Sequence, residues 1–191
     1  MVLFSPVSNG AKVSGTLRIP RLVKPVVAVM SADRELIPLA TGRMSEILGE
    51  VDVESPAYVF DFTDYYHAEM GAPLFKQFFS FRQLQKPEFL PHLKRKTAAC
   101  ERMNRTPGGG RPVNLDPGYW SDAKLVLAST KNYSHRICIG RRIFAEIILR
   151  YHKGKLQPME WTYPDYRTTL ALEFFEKVRK SYLQQIARFG I

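Results

Sequence analysis

Three short stretches collect most of the side chains able to do chemistry. In Phe60-Asp-Phe-Thr-Asp-Tyr-Tyr66, which continues through Glu69-Met-Gly71, Asp61 and Asp64 fall where a strand gives way to a loop. Two carboxylates so placed suit Mg2+, a hard cation that prefers oxygen ligands. The plainer account makes Asp64 the cap of a short helix and Asp61 a turn former. In Val113-Asn-Leu-Asp-Pro-Gly-Tyr119, Asn114 and Asp116 alternate onto one face of a strand, and Lys124, Lys131, His135 and Arg136 follow. Asp116 and His135 are candidate catalytic residues, since a carboxylate and an imidazole are suited to moving a proton. Lys124, Lys131, Arg136 and Tyr119 are candidates to hold a phosphate or carboxylate, for which charged donors make the strong hydrogen bonds. Against this, Asp-Pro-Gly is also a natural turn, and Asp116 can be no more than its first residue. Trp161-Thr-Tyr-Pro-Asp-Tyr-Arg167 leads into the last helix, where Tyr163 and Arg167 can grip an anion beside free amides. Asp165 is accounted for there as an N-cap. Glu146 shares a strand face with Phe144 and Ile148, so it needs a partner, and Arg136 on the adjacent hairpin strand is the obvious one.

The elements that must position these groups follow from hydrophobic spacing. Pro25 to Ser31 is a continuous apolar run that suits a buried central strand. Leu36, Ile37, Ala40, Met44, Ile47 and Leu48 recur at helical spacing up to Gly49, with Pro38 tolerable only in the first turn. Val51 to Phe62 reads as a second strand and Phe75 to Leu84 as a third, with Gln77, Phe79 and Phe81 on one face and Lys76, Phe78, Ser80 and Arg82 on the other. A helix over about Pro91 to Asn104 precedes the Thr106-Pro-Gly-Gly-Gly110 loop. Arg111 to Leu115 is a fourth strand, Asp116-Pro-Gly118 a turn, and Ser121 the cap of a short helix to about Ala128. His135 to Ile139 and Ile143 to Tyr151 form a hairpin, Leu156 to Trp161 follows a turn at Lys153-Gly154, and an amphipathic helix over about Asp165 to Arg188 closes the chain. The order implies an α+β fold with a ferredoxin-like β-α-β-β-α-β core, an added hairpin and a long C-terminal helix. Residues 1–23 read as an N-terminal arm and residues 24–191 as one domain.

Composition narrows the classes. The 191 residues are 45% hydrophobic and 24% charged, enough apolar material for one core without staples. Cys100 and Cys138 make no disulfide framework; both are expected to be buried, in a reducing and therefore cytoplasmic setting. No apolar run approaches the ~20 residues of a membrane helix. No zinc-type Cys/His spacing, nucleophile elbow or His-Glu-x-x-His helix is present. The net charge of +10 is uneven: residues 33–69 hold nine acids against Arg34 and Arg43, a local −7 that leaves +17 elsewhere. Such asymmetry suits an anionic partner, either a phosphate-bearing small molecule or RNA. In the RNA reading Lys94-Arg95-Lys96 meets a phosphate backbone, whereas in the pocket reading it is a solvated face; against RNA, the third strand does not match the RNP1 pattern of RNA-recognition domains. A protein-interaction module is the third class.

In order and spacing, the three stretches resemble the bacterial family known as domain of unknown function 4416, over about residues 24 to 185. The resemblance implies no reaction, cofactor or catalytic residue. Some members carry a GTP-binding description, which these residues can test. A phosphate-binding loop needs G-x-x-x-x-G-K-[ST], and none exists in the sequence. The guanine-reading Asn-Lys-x-Asp is approached only by Thr130-Lys-Asn-Tyr133, which keeps the lysine alone. Millimolar GTP with Mg2+ is therefore expected to give no stabilisation specific to guanine. A ligand at about 100 times its dissociation constant adds about 2.7 kcal/mol, so a melting curve shifted by GTP and unmoved by ATP overturns this expectation.

Overall fold

The chain folds around one continuous antiparallel sheet. The computed structural model describes residues 19–103 and 109–189, so most of the N-terminal arm, Asn104 and Thr106-Pro107-Gly108 lie outside the described residues. In chain order the elements are β1 (Lys24–Ser31), α1 (Leu36–Leu48), β2 (Val51–Glu54), β3 (Tyr58–Phe60), α2 (His67–Met70), β4 (Leu74–Phe81) and α3 (Leu90–Met103). There follow β5 (Val113–Ser121), β6 (Lys124–Ser129), β7 (Ile137–Cys138), β8 (Phe144–His152), β9 (Lys155–Pro158) and α4 (Thr169–Phe189). Strands run β2-β4-β1-β5-β6-β8-β7, with β3 beside β4 and β9 beside β8. The class is α+β, and the sheet is larger than a four-stranded core with one hairpin.

Every residue of β1 is buried, as its unbroken apolar run requires of a strand covered on both faces. Val27 and Val29 pack against Ile37, Met44 and Leu48 of α1 and Leu93 of α3. Val26, Ala28 and Phe78 pack against Ala171, Phe174, Phe175 and Val178 of α4. Pro38 sits in the first turn of α1, where no intrahelical N–H is needed, and Gly49 at φ +84° ends that helix. Among the described residues no helix is long and apolar enough to cross a membrane.

Four sequence expectations are corrected. Asp116-Pro-Gly118 is no turn: β5 runs straight through it, with Asp116, Pro117 and Gly118 opposite Ala28, Val27 and Val26. Residues 121–128 form no helix, because β6 folds back on β5 as a hairpin through Asp122-Ala123. A short apolar run such as Leu125-Val-Leu-Ala128 fits either state, and burial on both faces of the sheet selects the strand. The expected strand over Val51 to Phe62 breaks at Ser55-Pro56-Ala57 into β2 and β3, which both pair with β4. Cys138, expected inside, is exposed on the two-residue β7, and Cys100 is partly buried.

One irregularity of this sheet shapes all that follows. Pairing of β5 with β6 stops at Gly118–Leu127, whereas β1–β5 continues to Ser31–Val113 and β6–β8 to Ser129–Phe144. The two halves of the sheet therefore part like a fork at this end. At the crotch a Cβ on Gly118 would press on the Val126 carbonyl oxygen and come within 2.6 Å of Leu127 Cδ2. Only glycine lets the strands approach there before they separate. Gly118→Ala is expected to cost about 1–3 kcal/mol by overpacking, measured by urea denaturation. An unchanged midpoint would show that the fork tolerates a methyl group.

Candidate functional site

Strand register determines which side chains reach the α4 side of the forked end. Lys76, Met30 and Asn114 lie side by side across β4, β1 and β5, and Phe78, Ala28 and Asp116 form the next row. Across the fork, Glu146 of β8 stands opposite Leu127 of β6. Helix α4 begins only at Thr169, so it leaves this end of the sheet uncovered. Three connections rise around the uncovered end: residues 60–66, 129–136 and 161–166. Together they line a cleft of about 600 Å3. The three chemistry-rich stretches thus meet in one concavity.

The floor is built from buried charges. Lys76 Nζ lies 2.7 Å from Asp165 Oδ2, with the two side chains 6% and 3% exposed. The same ammonium stands 4.9 Å from the Tyr166 ring centre and 5.2 Å from that of Phe60, close enough for cation–π attraction. Asp165 also accepts from the Tyr58 hydroxyl at 3.3 Å. Asp165 is therefore a buried counterion rather than the N-cap expected from its place before a helix. Burial and the Asp165 charge together push the Tyr58 hydroxyl far above its ordinary range.

Asp116 accepts from Asn114 Nδ2 at 2.7 Å and pairs with Lys94 Nζ at 3.4 Å. Burial alone would raise its carboxyl, but the Lys94 and Lys76 charges and the Asn114 amide outweigh that and hold it below the usual range. Lys94 belongs to α3, whose Leu93 packs on the opposite face of the sheet. Its ammonium donates to the Leu115 carbonyl at 2.9 Å and lines the cleft, reaching it through the opening between β5 and β6. The expected solvated cluster Lys94-Arg95-Lys96 is thereby corrected: Lys94 is buried, and only Arg95 and Lys96 face water. Beside it, Arg111 pairs with Glu101 and Glu69, each at 3.2 Å, and Glu101 accepts from the Leu115 N–H at 2.7 Å. Desolvation raises the Glu101 carboxyl in spite of these cations.

The opposite wall is organised by Glu146. Its Oε1 takes Arg136 Nη2 at 2.8 Å and Nε at 3.1 Å, the pairing expected from sequence. Arg136 also donates to the Tyr163 hydroxyl at 2.6 Å, Ser129 Oγ at 2.9 Å and the Lys131 carbonyl at 3.0 Å. Glu146 Oε2 is buried and has no hydrogen-bond partner, although His135 Nε2 lies 2.9 Å away. The imidazole lies nearly parallel to Tyr133 and Trp161, with ring centres 6.1 and 5.1 Å away. Burial and Glu146 push the Tyr163 hydroxyl up to about 12. At the rim, Lys131 Nζ donates to the Tyr65 hydroxyl at 2.9 Å, and that bond and charge lower the Tyr65 pKa.

Of the residues singled out from sequence, Asp116, His135, Lys131, Arg136 and Tyr163 line the cleft. Tyr119, Lys124, Arg167, Asp61 and Asp64 do not. Tyr119 is three positions from Asp116 in an unbroken strand, so it faces the α3 side and packs near Phe89. Lys124 starts β6, whose other end meets the cleft. Arg167 spends its guanidinium on the carbonyls of Thr162, Met159 and Glu160 and so shapes the 159–162 loop. Asp61 is exposed, and the Asp64 carboxylate is 98% exposed with His67 Nδ1 at 3.2 Å. Among the described residues no group of three or more His, Cys, Asp or Glu is placed to hold a metal ion. The groups sequence reasoning passed over are Lys76, Lys94, Arg111 and Asp165. The signal for Lys76 was slight: it alternates with Leu74 and Phe78 on a face that also carries Ser80 and Arg82.

The chain matches the family described as domain of unknown function 4416 over residues 21–182. It belongs to that family. The matched range takes in the whole sheet and all three segments around the cleft, so the site lies within the family's own domain. No curated protein and no solved structure matches the chain.

The Lys76–Asp165 pair generates a direct test. Asp165→Asn or Lys76→Met alone strands a buried partner and is expected to cost about 3–5 kcal/mol in chemical denaturation. Making both changes together should recover part of that cost. Fully additive losses would show that the two charges do not depend on each other.

Proposed function

We propose that the cleft binds a small anion bearing a flat ring, with a phosphate-bearing compound of the nucleotide kind as the first candidate. One observation carries this reading: three separate segments bring aromatic walls and a hydrogen-bonding floor into a single cleft of about 600 Å3. Small-ligand sites have this character, largely apolar and aromatic surfaces with a few fixed polar groups. Phe60, Tyr66, Tyr133 and Trp161 supply rings on which a base can stack. Lys131 supplies a cation at the rim. In this reading His135 is the group able to exchange a proton with a bound ligand, and Asp116 is a fixed hydrogen-bond acceptor. Any Mg2+ would arrive with the ligand's phosphate, since Asp61 and Asp64 stand away from the cleft. The antiparallel order β2-β4-β1-β5, with helices after β1 and β4, supports reading that half of the sheet as a ferredoxin-like core.

RNA binding is favoured less, because five cations line the cleft and Lys94, of the expected helix cluster, is one of them. The test is a melting series with the four nucleoside monophosphates and inorganic phosphate, with filter binding of mixed RNA across a salt series in parallel. The expected result is stabilisation by one or more monophosphates, lost in Lys131→Ala and Trp161→Ala and retained in Arg95→Glu/Lys96→Glu. Silence of the whole series, with tight and salt-sensitive RNA binding abolished by Arg95→Glu/Lys96→Glu, would hand the function to RNA.

A further inference from the structure

The charges around the cleft do not bear equally on a ligand, because most of them are already matched within the protein. Five cations line it: Lys76, Lys94, Arg111, Lys131 and Arg136. Lys76 is held by Asp165, Lys94 by Asp116, Arg136 by Glu146, and Arg111 by Glu101 and Glu69. Lys131 is different. Among the described residues it is the one cleft-lining cation with no carboxylate at ion-pair distance, and its ammonium rests on the Tyr65 hydroxyl and ring. Lys131 is thus the cleft-lining cation whose charge is not already engaged by a carboxylate, and it stands at the rim.

The floor presents the opposite requirement. Asp116 is 30% exposed, and its carboxylate faces the cleft with lone pairs beyond those taken by Asn114 and Lys94. The Tyr166 side chain is buried, lines the cleft, and its hydroxyl has no hydrogen-bond partner. A slot beneath, bounded by Asp116, Tyr166, Phe78, Phe174 and Phe175, has no room for a water, so no solvent partner reaches that hydroxyl from below. A buried hydroxyl without a partner is costly, and Tyr166 is among the residues that line the cleft. A phosphate driven to this depth would lie against the carboxylates of Asp116 and Asp165. A group that donates to Asp116 and accepts from Tyr166 meets no such repulsion.

Resting on the small-anion reading above, we infer that the ligand carries a single anionic group, held at the rim by Lys131. Its uncharged donor–acceptor edge is turned inward to Asp116 and Tyr166. The class is a flat-ringed acid whose far edge offers an N–H or O–H beside a carbonyl or ring nitrogen. Nucleoside di- and triphosphates are excluded by charge. The acid itself is either a carboxylate or a phosphate ester, since Lys131 attracts both.

Calorimetry on the full chain separates these features with four probes: uracil, orotate, uridine 5′-monophosphate and uridine 5′-triphosphate. Orotate or the monophosphate should bind about tenfold or more tightly than uracil, and the triphosphate more weakly than the monophosphate. Preference for orotate identifies a carboxylate ligand, and preference for the monophosphate a phosphate ester. Lys131→Ala, a change at an exposed position, should bring the charged probes to within about threefold of uracil and leave uracil itself unchanged. Asp116→Asn should weaken all probes, uracil included. Tyr166→Phe, which keeps the ring and its packing, serves as the second floor variant and should do the same. The inference is overturned if affinity climbs from mono- to triphosphate, if Asp116→Asn tightens the charged probes, or if Lys131→Ala weakens uracil as much as orotate. Absence of binding by all four, and by the other nucleoside monophosphates, overturns the small-anion reading itself. Binding in the wrong order sinks only the present inference.

Discussion

A lysine ammonium and an aspartate carboxylate, both closed off from water under three aromatic rings, tie the centre of the sheet to the turn that starts the last helix. Two charges buried this deeply are tolerable only in each other's company, because either alone loses its hydration with nothing in return. Lys76 comes from β4 and Asp165 from the turn before α4, so their 2.7 Å contact fixes where α4 begins. That starting point decides how much of the sheet stays uncovered. The cleft exists because α4 starts where it does, and Tyr166 and Tyr163 face the cleft because they flank the same aspartate.

The same device recurs at the other end of α4. Lys24, fully buried at the start of β1, holds Asp52 at 2.6 Å, and that carboxylate also accepts from Ser80 at 2.7 Å and Ser181 at 3.0 Å. Lys24 further donates to Gln185 at 2.9 Å. One lysine–aspartate pair thus lies under each end of the helix, while Phe174, Phe175, Val178 and Tyr182 fill the apolar span between them. Burial alone would let such a helix slide along a greasy sheet, since the hydrophobic effect has no direction. Ion pairs and hydrogen bonds are directional, and two sets some five turns apart set both position and rotation.

The parts of this arrangement that could be read from sequence were the periodic ones. The fully buried β1, the helix from Leu36 to Gly49, the alternation along β4, the β7–β8 hairpin and the final helix all follow from spacing of apolar residues. The need of Glu146 for Arg136 was legible because a carboxylate among Phe144 and Ile148 must find a cation. Reading failed where local preference was overruled by pairing elsewhere. Asp116-Pro-Gly118 has turn chemistry, yet β1 supplies a partner along its whole length and Gly118 is needed for close approach to Val126. That single error displaced the site map, because it put Lys124 near Asp116 and hid that Tyr119 faces the other way. Asp165 misled for a similar reason: a helix start explains an aspartate so readily that a buried counterion was not sought. Lys94 looked like one of three surface cations, and nothing local distinguishes it from Arg95. Its role depends on a gap between β5 and β6 that only the assembled sheet creates.

A β-sheet ordinarily insulates the two layers packed on it, since its own hydrogen bonds close the space between strands. Here the partition is perforated. Lys94 threads from the α3 layer to the α4 layer, so the side that looks like scaffold holds one hand on the ligand side. Repacking around α3, however remote in appearance, shifts the anchor of an ammonium that grips Asp116 and the Leu115 carbonyl. The helix is then a lever whose short arm ends in the cleft, and the two faces of this domain cannot be redesigned independently.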